Sequence, residues 1–243
     1  MSDLSKGLRA PVHFRTMFRN EHEFQAAVAH ALRTRGHTVR REVRVRTGSR
    51  LDFLATKNGV RMGIEAKFGR GLERDLVKSE RLARLPEVDK MYVCGPKAFM
   101  SEDVQALAAQ RGVGLVALRD DGRLEWLSQP RKLMPARLSL GGGYRYVIEP
   151  GEKATYNTTV FNSGDKAAVD IEVHMVIAPP FVARLPSKTR AKRDFLDGND
   201  KWTNPLECDV KQGTKPGKYA LRISMTAANL PREDEKAEYE IRG

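Results

Sequence analysis

Residues 51–68 read Leu51-Asp52-Phe53-Leu54-Ala55-Thr56-Lys57-Asn58-Gly59-Val60-Arg61-Met62-Gly63-Ile64-Glu65-Ala66-Lys67-Phe68. Asn-Gly between two apolar runs is the strongest short signal of a two-residue hairpin loop. If Lys57 opposes Val60, paired positions sum to 117, so Asp52 stands opposite Glu65 and their side chains share a face. Directly opposed Cβ atoms lie roughly 4.5–5.5 Å apart, and like charges there repel. A hard divalent cation would offset that repulsion. Strand alternation keeps Lys67 on the Glu65 face and turns Ile64, Ala66 and Phe68 the other way. The plain alternative is that Asp52 and Glu65 face solvent and Lys67 balances their charge. Against it stand Leu51, Phe53 and Leu54, which surround Asp52 as in a strand covered on both faces.

Working outward, Asn20 to Arg35 reads as an amphipathic helix capped by Asn20, with Phe24, Val28, Ala31 and Leu32 at helical spacing. Glu21 falls on the buried stripe and Glu23 nearer its edge, although an acidic residue in a first turn also simply suits the helix dipole. After the hairpin, Gly71 to Leu85 reads as helix, Lys90 to Cys94 as strand, Ser101 to Arg111 as helix, and Val113 to Leu118 and Arg123 to Leu127 as strands.

This order of a helix with an early Glu, a strand, an Asp-bearing strand, an Asn-Gly turn and Glu-Ala-Lys resembles the PD-(D/E)xK nuclease superfamily over roughly residues 14–130. The resemblance implies a restriction-endonuclease-like α/β core, a mixed central sheet flanked by helices. It also implies that Asp52, Glu65 and the Ala66 carbonyl hold Mg²⁺, or Mn²⁺ in its place. Lys67 would position the attacking water or stabilise negative charge, and Glu21 would support the site. The Pro of the first motif is Leu51 here. The Gln and Tyr of the RecB-like branch are missing after Lys67. The activity implied is metal-dependent DNA endonuclease chemistry, in which bound metal activates water and relieves charge on the leaving oxygen. The alternative is a nucleic-acid-binding or assembly subunit with a vestigial site.

Charge agrees with a polyanionic partner. The chain carries 43 Lys and Arg against 31 Asp and Glu, and residues 1–135 hold 26 against 16, which is +10 of the net +12. Arg40, Arg41, Arg44, Arg46 and Arg50, with Arg33 and Arg35, cluster before the Asp-bearing strand and suit forked phosphate contacts to DNA.

Residues 1–135 and 136–243 are expected to form separate domains, with a linker near Gln129 to Gly143 that includes Gly141-Gly142-Gly143. Beyond it, seven short strands are expected: Tyr144–Ile148, Ala154–Asn162, Ala168–Ile177, Phe181–Leu185, Leu206–Val210, Tyr219–Ala227 and Ala237–Arg242. Separated by turn signals, they read as an all-β sandwich resembling immunoglobulin-like modules, an interaction surface for a protein partner. Ser187 to Arg193 reads as a basic loop. Cys94 and Cys208 lack paired spacing, so neither a disulfide framework nor a zinc site is indicated. Met1 to Pro11 has no apolar signal core and no long apolar run occurs, which points to a cytoplasmic chain without a membrane segment. Cutting both strands of a duplex would suit a homodimer.

Overall fold

The computed structural model describes residues 18–69, 71–228 and 230–242. The expectation for Met1 to Pro11 lies outside the described residues. The chain divides into two compact units, Met1–Lys132 and Leu133–Gly243.

In the first unit, α1 (Glu21–Thr34) opens where the Asn20 side chain accepts the Glu23 N–H at 2.9 Å. That bond satisfies one of the donors a helix start leaves unpaired. Six strands follow in one sheet: β1 (Thr38–Arg44), β2 (Arg50–Lys57), β3 (Val60–Ala66), β4 (Lys90–Pro96), β5 (Gly114–Leu118) and β6 (Leu124–Ser128). Spatial order equals chain order. The β1–β2–β3 ladders are antiparallel, β3–β4–β5 parallel and β5–β6 antiparallel. The parallel steps are bridged by α2 (Leu72–Ala83) and α3 (Glu102–Arg111), since parallel neighbours need a crossover.

Alternation along the strands divides the core in two. Phe53, Ala55, Ile64, Ala66, Tyr92, Cys94, Val116 and Leu118 pack with Phe24, Val28 and Leu32 of α1. Val93, Leu115 and Ala117 pack with Leu72 and Leu76 of α2 and Val104 and Ala108 of α3. At roughly 1.5–3 kcal/mol per large apolar side chain buried, the first of these layers holds β2 and β3 against α1.

The second unit is built from strands: β7 (Leu138–Tyr144), β8 (Val147–Ile148), β9 (Lys153–Asn162), β10 (Ala168–Val176), β11 (Phe181–Val182), β12 (Arg190–Leu196), β13 (Lys201–Val210), β14 (Gly217–Thr226) and β15 (Glu233–Ile241). One sheet runs β12-β10-β14-β15-β8 and the other β11-β13-β9-β7. Alternating residues such as Ala154, Tyr156 and Val160 of β9 and Leu221, Ile223, Ala237 and Tyr239 of β14 and β15 share one core. A two-sheet sandwich follows from that alternation. At one end the buried Asn162 amide donates to the carbonyls of Lys166, Leu196 and Asp197 and accepts the N–H groups of Arg137 and Gly164.

Three expectations are corrected. The fold class is not built on a restriction-endonuclease-like α/β core, although the second unit is a sandwich. The chain is mostly β, with 47% of its residues in strands and three α-helices among the described residues. The glycine triplet is not linker: Gly141, Gly142 and Gly143 pair with Thr159, Thr158 and Asn157. A Cβ at Gly142 would meet the Tyr156 ring and the Asn157 carbonyl, both at 2.5 Å, so the close approach excludes a side chain. The basic loop is in larger part strand β12, which pairs with β10 at the edge of its sheet. Lys192 and Arg190 both reach Glu172, at 3.2 and 3.7 Å. Among the described residues no helix is long and apolar enough to cross a membrane.

Candidate functional site

The hairpin turn sets the site. Asn58 and Gly59 take φ of 51° and 78°, the left-handed pair that matches the twist of antiparallel strands. The register sums to 117 from Lys57↔Val60 to Phe53↔Ile64. There the regular ladder ends, one residue short of Asp52 and Glu65. Instead of a backbone pair, the Asp52 carboxylate accepts the Ala66 N–H at 2.8 Å. The contact shown at Ala66 is thus made by its N–H.

Glu65 is buried, only 4% exposed. One oxygen, Oε2, accepts a 2.6 Å bond from the Lys78 ammonium, and the other, Oε1, has no hydrogen-bond partner. Burial and then the Asp52 charge push the Glu65 carboxyl up to about 7, while Lys78 pulls it back. The Asp52 N–H also favours the charged form, without giving Oε1 a bond of ordinary geometry. Asp52 is raised as well, by burial first, with Glu21 adding to the shift and the Ala66 N–H, Lys78 and Lys67 opposing it.

Helix α2 brings two residues that the motif reading missed. Leu72, Leu76, Ser79 and Leu82 are its buried stripe, and Asp75 and Lys78 border that stripe three residues apart. Asp75 is raised by burial, feels the charges of Lys67, Lys78, Asp52 and Glu21, and leaves Oδ2 buried with no partner. Lys78 also donates to the Arg50 carbonyl at 3.0 Å. The signal for both was present in the sequence as polar residues flanking an apolar helical stripe just after the Glu-Ala-Lys strand. Their aim depended on how the helix rotates over the sheet.

Glu21 joins from the first turn of α1, where its Oε2 lies 3.3 Å from Lys67 Nζ. Glu23 instead accepts the Arg19 N–H at 2.8 Å. The four expected residues Glu21, Asp52, Glu65 and Lys67 are therefore interacting neighbours. Among the described residues, however, no three His, Cys, Asp or Glu side chains are grouped to hold a metal ion. The donor chemistry still suits a hard cation: every candidate ligand is an oxygen, of a carboxylate or of the Ala66 carbonyl, and Glu65 Oε1 and Asp75 Oδ2 are buried and unpartnered.

The expected DNA-contacting arginines sit on or beside β1, an edge strand. Arg40, Arg41, Arg44 and Arg50 are exposed. By register Arg40 opposes Leu54 and Arg44 opposes Arg50, on the Asp52 face, whereas Arg41 opposes Phe53 and lies over its ring at 5.9 Å. Arg50 lies 3.5 Å from Glu42 and Arg46 lies 3.2 Å from Glu87. The basic set is thus split between the two faces.

No family model matches the chain, and no characterised protein matches it by sequence. Among solved structures it is similar to the CARDB domain of a Pyrococcus furiosus protein in complex with di-metal ions, at 12% identity and a TM-score of 0.34, over 44% of this chain and 93% of that one. It is also similar to an enzyme described as catalysing macrocyclization in alchivemycin A biosynthesis, at 12% identity and a TM-score of 0.33, over 44% and 88%. A third likeness is to Escherichia coli alpha-2-macroglobulin, at 12% identity and a TM-score of 0.37, over 45% and 17%. Likenesses this distant transfer no function. The expected membership of the PD-(D/E)xK superfamily is corrected: the chain is mostly β, with few helices, and not the α/β core that membership implies. The misreading has a physical source. A Glu-x-Lys strand, an Asn-Gly turn and an early helical Glu are each common solutions to local problems, and their order says nothing about the remaining strands.

Proposed function

We propose that the first unit hydrolyses phosphodiester bonds of DNA with the help of a divalent cation. The carrying observation is Glu65: a carboxylate almost wholly removed from water, held by one ammonium, with its second oxygen unpartnered and the Asp52 charge acting on it. An isolated buried carboxylate is costly, and a structural role would call for a fuller set of partners. Asp52 and Glu65 would hold the ion, which when bound supplies Lewis acidity toward phosphoryl oxygens.

The chain's own groups then divide the work. Lys67, held by Glu21, presents a positive charge beside the carboxylates, where it can orient a water or stabilise charge developing on phosphorus-bound oxygen. The Asp52 carboxylate, fixed by the Ala66 N–H, cannot swing away without leaving that donor unpaired. Arg40, Arg44 and Arg50, on the same face by register, would hold the phosphate backbone without reading bases. The second unit, with no evident catalytic cluster in its sequence, would serve as an interaction module.

The test is a cleavage assay on plasmid, linear and branched DNA with Mg²⁺ or Mn²⁺ added, omitted and chelated. Cation-dependent cutting that is lost in Asp52→Asn supports the reading. DNA of every form left intact with both ions overturns it, and retained binding in that case would favour the alternative of a binding subunit, which the absence of a three-ligand group among the described residues already suits.

A further inference from the structure

We infer that Lys78 is the resident occupant of the cation position at Glu65, neutralising the carboxylate when no divalent ion is bound and giving way when one arrives. This rests on the reading above that the cluster takes a divalent cation. The geometry separates a fixed partner from a movable one. Glu65 lies on a central strand between β2 and β4, with a side chain 5% exposed, whereas the Lys78 side chain is 43% exposed on the outer flank of α2. Its four-carbon stem can rotate toward solvent while the buried stripe of Leu72, Leu76 and Leu82 keeps the helix seated.

What Lys78 would leave behind is defined by the partners it has. Its ammonium bonds Glu65 Oε2 at 2.6 Å and the Arg50 carbonyl at 3.0 Å, both oxygen atoms. Glu65 Oε1, on the carboxylate it bonds, is buried and unpartnered, and so is Oδ2 of Asp75, which feels the Lys78 charge. Lysine offers one charge and three hydrogen-bond donors. The charges around it call for more. Across the cluster Glu21, Asp52, Glu65 and Asp75 face Lys67 and Lys78: four acidic groups, two basic ones and a deficit of two. A divalent ion in place of the ammonium narrows that deficit and brings a coordination sphere that the open Glu65 oxygen can enter.

Occupation by lysine also accounts for a buried, partly satisfied acid in an ion-free protein. Removing one partner of a buried pair leaves an uncompensated charge. Lys78 supplies the compensation in the absence of the ion, and the resulting competition lowers the affinity of the site. The released ammonium, still tethered to α2, would then be free to approach a phosphate.

The experiment measures Mn²⁺ binding to the full chain by electron paramagnetic resonance, without DNA or turnover, in the wild type, Lys78→Met, Lys78→Arg and Asp52→Asn. Lys78→Met is expected to bind Mn²⁺ at least ~10-fold more tightly than the wild type, and Mn²⁺ is expected to raise its melting temperature by more than the wild-type shift. Lys78→Arg, which keeps a cation at Glu65, should stay within a few-fold of the wild type. Wild-type or weaker affinity in folded Lys78→Met overturns the inference. If Lys78→Met is unfolded without metal, recovery of its circular dichroism by Mn²⁺ but not by matched NaCl supports the inference, and no recovery overturns it. Equal Mn²⁺ binding by wild type and Asp52→Asn would instead overturn the reading of the site itself, a different result from a different pair of proteins.

Discussion

Asn162 and Glu65 are both buried polar side chains near the end of a strand, and the two units treat them in opposite ways. In the sandwich, the Asn162 amide has five hydrogen bonds that tie β9 to the segments around residues 137, 164, 166 and 196–197. In the six-stranded sheet, Glu65 has one strong partner, an open oxygen and a carboxyl pushed up to about 7. The difference teaches what to look for. Saturation fits a group buried for the sake of the fold, because each missing partner costs stability; a nearly buried carboxylate left short among other charges is a candidate for completion by a group from outside.

The largest expected effect tests the saturated side. Asn162→Ala strands two N–H groups and three carbonyls and should lower the stability of the second unit by about 4 kcal/mol. Urea unfolding of the full chain should show one transition moving to lower urea and the other staying in place. A shift below about 1 kcal/mol would remove the contrast altogether.

Next come the groups at the unsaturated side. Asp52→Asn and Lys67→Met should each reduce Mn²⁺-dependent cleavage by ~10³-fold, equivalent to about 4 kcal/mol of transition-state stabilisation. Both should leave the two unfolding transitions nearly unchanged. Rates within tenfold of the wild type would sever the link between incomplete satisfaction and catalysis.

The pH dependence of stability is third. Because the folded Glu65 carboxyl titrates near 7 rather than at the ordinary 4.5, the folded chain holds that proton more tightly than the unfolded one. Its favourable contribution is complete below about pH 4.5 and is lost as pH rises through about 7, up to about 3 kcal/mol in total. Asp52 and Asp75, raised likewise, act in the same sense. Urea melts between pH 5 and 8 should therefore show the wild type losing stability relative to Glu65→Gln, and Mn²⁺ should abolish the loss. Parallel pH curves for the two proteins would mean that Glu65 is as well satisfied as Asn162.

The smallest effects belong to the arginines. Arg40→Ala and Arg44→Ala, on the Asp52 face, should each weaken DNA binding by about 1 kcal/mol and lower the slope of log K against log salt by about 0.9 for each phosphate no longer neutralised. Arg46→Ala, whose side chain is engaged with Glu87, should do less in a fluorescence-anisotropy titration over a salt series. An equal weakening by all three would show that engagement with Glu87 does not set Arg46 apart.

Much of the local structure could be read from the chain, and the contrast shows where reading stopped. Two-residue turns constrain their own geometry, so the Asn58-Gly59 register emerged as expected from Lys57↔Val60 to Phe53↔Ile64. The helix at Glu21 was legible because its cap and its apolar spacing are both local. Asp75 and Lys78 were not, since nothing within α2 says which neighbour its polar flank will meet. β7 and β12 were missed for a related reason. A glycine triplet and a run of Lys and Arg resemble loops until a neighbouring strand supplies the ring over Gly142 or the Glu172 partner of β12. The family expectation failed at a larger scale, because a few residues of shared type and order do not fix an architecture that is mostly strand.

The arginine-lined strand β1 has one further consequence, for self-association. It forms an outer margin of its sheet, so one side of its backbone is unpaired within that sheet, an invitation to a second copy. A symmetric pairing of two such margins would bring Arg40, Arg41 and Arg44 of one molecule against the same residues of another, and the repulsion would discourage it. The left-handed backbone at Glu42, φ 51°, interrupts the straight run that such a union needs. Any two-fold assembly of this protein would have to form through a different surface, leaving the charged margin open to a polyanion.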